Sequence, residues 1–270
     1  MLLRLSQMRL LQGVAGSIRS RGPTKHFRQA ARSTFSPHVW YGERSVSVSS
    51  VIQNVLGREF ENLHPNMQWR YGIDSTSQLS QVAGGMLESV YCSAMLPAML
   101  FHMRKRNAMP TKTSRLVPFT MHNYCYQDEL GRECLAVLRS FDYTTGSHGL
   151  NSLLVDGREG LVDYFGDGPE LLWPLEAHAD ARGSLVFESG PMRLLAGPKV
   201  GMRGLLAARM RYIEGWDERH NRFRVDASVR NPVLGELIHY RGWFTARDEP
   251  CRLRDIPDEA WPLRLEEREH

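Results

Sequence analysis

The stretch from Leu116 to Ala246 constrains this chain most, because it breaks into short runs rich in β-branched and aromatic residues, divided by turn signals. The runs are LVPFTMHNYCYQ, RECLAVLRSFD, GLVDYFG, ELLWPLEAHAD, SLVFES, PMRLLAG, RMRYIEGW, RFRVDASV and ELIHYRGWFT. Between them lie DELG, DGREG, GDGP, DARG and ERHN, whose Gly, Asp and Asn tolerate tight backbone turns. About nine antiparallel strands at this spacing predict a mainly β (α+β) domain. Its sheet is expected to curve strongly or close into a barrel, since closure removes exposed edges.

Ahead of the strands, Val51, Val55, Phe60 and Leu63 recur near helical spacing, with Ser50 as N-cap and Pro65 as a break. GGMLESVY then reads as a short strand, followed by helical turns that end in Arg104-Lys105-Arg106, a basic run suited to a helix C-terminus. These assignments put helical segments at 47–110 and strands at 116–246 in one domain spanning 45–248. Residues 249–270 read as a surface tail.

Charge is uneven along the chain. Seven basic residues and no acid precede Glu43, and the remaining 27 basic and 30 acidic side chains leave a net charge of −3. The domain therefore gives no electrostatic footprint for nucleic acid. Residues 1–44 are expected to be a disordered basic extension, with an organelle transit peptide as the alternative. The expected location is the cytoplasm, or an organelle if that segment directs import. No apolar stretch is long enough for a membrane span. Cys92, Cys125, Cys134 and Cys251 lack paired metal spacing, which fits free thiols in a reducing compartment.

The hairpins carry the candidate site. In RMRYIEGWDERHNRFRVDASVR a turn near Arg219-His220 opposes Trp216 to Phe223, Glu214 to Val225, Tyr212 to Ala227 and Met210 to Val229. Glu214 is thus a carboxylate on an apolar face. Such a group is expensive to bury unless paired, so it is either a ligand-orienting or acid–base residue, or the partner of a buried Arg or Tyr hydroxyl. In the last strand Ile238, Tyr240, Gly242 and Phe244 suit the interior, which brings Tyr240 to the same space. In the first hairpin, a loop centred between Glu129 and Leu130 opposes Cys125 to Cys134. It gathers His122, Tyr124 and Arg139 on a mixed face that either lines the interior or decorates the outside. A bulge at Gly131 would shift this register by one residue and send the two thiols to different faces. The ligand-lining candidates are Glu214, Tyr240, Tyr212, His122, Tyr124 and Arg139. No nucleophile elbow, P-loop, HExxH or dinucleotide-binding glycine signature is present, and the histidines have no metal-ligand spacing, so no cofactor or metal is expected.

Val117-Pro118-Phe119-Thr120, Asn123, Tyr124, Tyr126, Asp128 and Gly131-Arg132-Glu133 form a pattern that resembles the bacterial family called domain of unknown function 4166. Leu63-His64-Pro65, Glu214, Asp217, Phe223-Arg224-Val225, Gly235 and Tyr240-Arg241-Gly242-Trp243-Phe244 match its other recurring positions, so the resemblance covers Glu59 to Thr245. The extension and the Arg-bearing segment Lys199 to Ala208 depart from its pattern. Members of that family resemble stand-alone proteins or modules appended to dehydrogenase-like domains, which implies such a protein as a possible partner. The leading functional expectation is a non-catalytic binding module for a small apolar, lipid-like ligand in a barrel interior. The alternatives are an enzyme using Glu214 as general acid or base in the same cavity, and a protein-interaction module acting beside a dehydrogenase-like partner.

Overall fold

A computed structural model describes residues 48–94, 107–110, 112–157, 160–167, 171–194 and 207–261. The extension over 1–44, the basic run 104–106 and most of the Lys199–Ala208 segment lie outside the described residues. Helix α1 (Val51–Leu56) begins as the sequence predicts, with the Ser50 hydroxyl accepting from the Gln53 amide and the Gln53 side chain answering in a capping box. Gly57, at φ +53°, ends it and opens a 3-10 turn over Gly57–Asn62. Pro65 then starts a second helix, α2 (Pro65–Tyr71), at the first-turn position where its missing N–H does no harm.

The strands are β1 (Leu79–Cys92), β2 (Ser114–Gln127), β3 (Glu133–Tyr143), β4 (Gly146–Gly157), β5 (Gly160–Phe165), β6 (Leu171–Ala179), β7 (Leu185–Ser189), β8 (Arg193–Leu194), β9 (Arg209–Asp217), β10 (Arg222–Asn231) and β11 (Gly235–Pro250). All pair antiparallel, in the order β5-β4-β3-β2-β1-β11-β10-β9-β7-β6, and β5 pairs with β6 to close a ten-stranded barrel, leaving β8 as a short addition on β6. The expected barrel of about nine strands is therefore present, with two differences in its staves. β1 is a full strand within the segment read as mostly helical. β4 was not among the nine runs, because SLLV is a continuous apolar stretch without alternation. Its two faces are both buried, Leu150 and Leu154 inward, Leu153 and Val155 outward.

The outward cover comes from the chain after β11. Cys251, Ile256 and Ala260 are buried against Tyr126, Cys134, Ala136, Leu153, Val155, Tyr164 and Leu172, and Trp261 packs its ring 4.1 Å from that of Tyr126. Residues 251–261, read as part of a surface tail, thus form a second, outer core. Close contact between β1 and β11 depends on glycine. A Cβ on Gly242 would stand 2.2 Å from the Met86 carbonyl oxygen, and one on Gly85 2.0 Å from that of Trp243.

The helical segment closes one end of the barrel. The His64 amide donates to the Gly183 carbonyl, the Ala179 amide to Glu59, and Ser75 to Glu133, which ties the segment to several turns at the same rim. Val51, Ile52, Leu56, Phe60, Leu63, Met67 and Tyr71 join the inward side chains of the strands in one core. Burying each of the larger apolar side chains contributes roughly 1.5–3 kcal/mol, so the cap is integral to the fold.

Candidate functional site

The β9–β10 register is the expected one, pairing Glu214 with Val225 and Tyr212 with Ala227. Glu214 is completely buried, and so is Arg70, which reaches it from α2. The Arg70 Nε donates to one Glu214 carboxylate oxygen and the Tyr212 hydroxyl donates to the other at 2.5 Å. The Tyr71 hydroxyl is hydrogen-bonded into the same group. The guanidinium also lies 4.8 Å from the Phe244 ring centroid and 5.6 Å from that of Phe223. Burial opposes its charge, but Glu214 beside it holds Arg70 protonated, with its pKa above the ordinary value. Burial raises the Tyr212 hydroxyl too, with the Glu214 charge adding to the effect. Both Glu214 oxygens are thus occupied, and the cluster latches the helical cap to the barrel wall.

A second polar group lies further along the interior. Asp163 on β5 falls between inward Leu161 and Phe165 and is 4 % exposed. Its Oδ1 has no hydrogen-bond partner among the described residues. Burial pushes its pKa up to about 7, although Arg139 and a hydrogen bond from Ser152 act in the opposite direction. Arg139 on β3 points inward between Val137 and Phe141, and its Nη1 donates to the Leu150 carbonyl at 3.4 Å and the Ser152 hydroxyl at 3.3 Å. Unlike inward Val137 and Phe141 it is only half-buried. Tyr240, 8 % exposed, faces both clusters, and its ring meets Phe141 edge-on at 5.5 Å.

The six sequence candidates therefore divide. Glu214, Tyr212, Tyr240 and Arg139 face the interior. His122 and Tyr124 do not: they lie on the outer face of β2, their rings stacked at a centroid separation of 6.3 Å. The reason is register and parity. The Asp128 carboxylate accepts from the Leu130 and Arg132 amides, Gly131 takes φ +75°, and the extra loop residue pairs Tyr126 with Cys134 and Cys125 with Leu135. The inward residues of β2 are Val117, Phe119, Met121, Asn123 and Cys125, with Cys134 outward beneath the C-terminal segment. None of the four cysteines forms a disulfide.

Arg70, Tyr71, Ser152 and Asp163 were not among the sequence candidates. The signal for Asp163 was a lone carboxylate in an otherwise apolar run, GLVDYF. Asn123, 2 % exposed, also leaves its Oδ1 without a partner among the described residues. Among the described residues no group of three or more His, Cys, Asp or Glu is placed to hold a metal ion. No helix among them is long and apolar enough to cross a membrane.

These features define a class, a ten-stranded antiparallel barrel closed at one end by a latched helical cap and carrying a second, incompletely satisfied polar cluster inside. The chain belongs to the family described as domain of unknown function 4166, whose profile matches residues 63–244. It is 27 % identical over 191 residues to the "Uncharacterized protein YndH" of Bacillus subtilis (strain 168), an alignment covering 67 % of this chain and 90 % of that protein. No solved structure matches it significantly. Several positions of the family pattern serve architecture here. Asp128, Gly131 and Arg132 build the hairpin turn, the Tyr126 hydroxyl holds the Ala260 carbonyl at 2.8 Å, and Glu133 accepts from Ser75.

Proposed function

We propose that the barrel interior binds one small, mainly apolar molecule without transforming it, and that the polar end of that molecule lies against Arg139, Asp163 and Tyr240. The observation that carries this reading is the unpartnered Asp163 oxygen, buried beside an inward arginine that keeps solvent access. Natural interiors rarely leave a buried acceptor unsatisfied, since doing so costs about 1–3 kcal/mol or more, and a bound group is one way to supply the partner. The walls around it, Phe141, Leu150, Phe165 and Trp173, are apolar, the usual lining of a small-molecule site. Ten strands also enclose more volume than the eight that side chains alone can fill. Four cysteines without a disulfide fit a reducing compartment, and we place this activity in the cytoplasm.

Native mass spectrometry of the purified protein tests the reading. The expected spectrum shows a discrete mass excess for one small molecule, which organic extraction removes. A bare protein mass, together with no uptake of an added amphipathic probe, contradicts it.

A further inference from the structure

We propose that the interior recognises its ligand by a carboxylate head, taking an apolar monocarboxylic acid such as a fatty acid with the head on Arg139 and Asp163 beside it. This rests on the ligand-binding reading above and adds the chemistry of the head and its coupling to protons.

Arg70 and Glu214 neutralise each other within the latch, so neither is free to meet a ligand. Arg139 has no such partner. Its hydrogen bonds go to a carbonyl and a hydroxyl, both uncharged, and no carboxylate lies within ion-pair distance of it among the described residues. A cation facing an apolar interior without a counter-ion is expensive, and a planar guanidinium is matched by a carboxylate that can accept two of its N–H groups. Ser152 links Arg139 to Asp163, which fixes the geometry of the pair: one donor fork and one carboxyl oxygen without a partner, in the same space.

Two anions cannot both occupy that space without strong repulsion. Either Asp163 is ionised and offsets Arg139, or Asp163 holds its proton and the ligand carboxylate offsets Arg139. In the second state the protonated Asp163 donates its O–H to a ligand oxygen, satisfying both groups. The groups facing Asp163 are few. Among the described residues they are Arg139 from β3, Ser152 from β4 and Tyr240 from β11, while the opposing residue on β6 is Trp173, which does not titrate. Within α1, Val51–Leu56, there is no ionisable side chain. Ligand binding above neutral pH must therefore draw a proton onto Asp163.

Isothermal titration calorimetry of the delipidated full-length protein with dodecanoate tests this, using dodecanol and acetate as comparison probes and buffers of different ionisation enthalpy to count protons. The expected result is one site for dodecanoate, at least tenfold tighter than dodecanol and far tighter than acetate. Uptake should approach one proton at pH 8 and vanish near pH 5.5, with affinity about tenfold weaker at pH 8 than at pH 6. Asp163→Asn, which keeps a donor and removes the titration, should bind dodecanoate at pH 8 as the unaltered protein does at pH 6. Arg139→Leu should lose at least tenfold. Because the Asp163→Asn variant is expected to gain affinity, misfolding cannot imitate its result. Dodecanol binding as tightly as dodecanoate, or affinity that rises with pH, would overturn the carboxylate head and leave the apolar site standing. Acetate binding as well as dodecanoate would remove the apolar chain. Binding of none of the three would overturn the site itself.

Discussion

Replacing Arg70 by Ala is expected to destabilise the protein by about 3–5 kcal/mol, a large fraction of the stability of an ordinary domain. The substitution leaves Glu214, with no solvent exposure, carrying a charge that only the Tyr212 and Tyr71 hydroxyls address. It also withdraws the cation from the faces of Phe244 and Phe223. The double variant Arg70→Met, Glu214→Leu removes both charges and is expected to recover most of the loss, because a buried ion pair often adds little over apolar residues of similar volume. Urea unfolding of the unaltered protein, the two single variants and the double variant measures the coupling directly. Near-additive losses would show that Arg70 and Glu214 do not depend on each other, against the latch described above.

Asp163→Asn is expected to act in the opposite direction, stabilising the protein, and to do so only where the carboxylate would ionise. Below the ordinary aspartate range, near 3.8, both folded and unfolded chains hold the proton and Asp163 contributes no penalty. Between that value and about 7 the unfolded chain releases its proton while the folded chain keeps it, so the Asp163 contribution to stability falls as pH rises. Above 7 the penalty is complete, on the order of 4 kcal/mol at 1.36 kcal/mol per pH unit. Unfolding free energies of the two proteins should therefore coincide near pH 4 and diverge toward pH 8, with the variant more stable. A constant difference across that range would mean that the substitution acts through packing and not through charge.

The hairpins on the β9–β11 side were legible because their alternation is clean: one face is apolar and the other carries Arg209, Arg211, Arg224, Asp226 and Arg230 in solvent. Parity alone then placed Glu214, Tyr212 and Tyr240 inside. On the β2–β5 side the same logic misled, since the C-terminal segment buries the outer face as well. Tyr126 and Ala136 are as deeply buried outside as Met121 and Val137 are inside, and the apolar pattern no longer reports which face is which. His122 and Tyr124 were grouped with Arg139 because the turn shifts the register by one residue, whereas β4 escaped notice because both of its faces are apolar. Asp163 was legible in principle only as the lone carboxylate of GLVDYF, a run apolar on both faces. Arg70 was harder to read, since an arginine in the last turn of a helix ordinarily serves the helix terminus in solvent, and only the closing of the barrel end buries it.

Asp163 is a buried carboxyl with one oxygen unpartnered, and one measurement addresses that most directly: the titration of its carboxyl carbon by NMR in aspartate-labelled protein, assigned by the signal missing from Asp163→Asn. The expected midpoint in the ligand-free protein is about 7, moving higher when dodecanoate is added. A midpoint near 4 that dodecanoate leaves unchanged would show Asp163 to be solvated or paired like an ordinary surface aspartate, and would contradict the site proposed for this barrel.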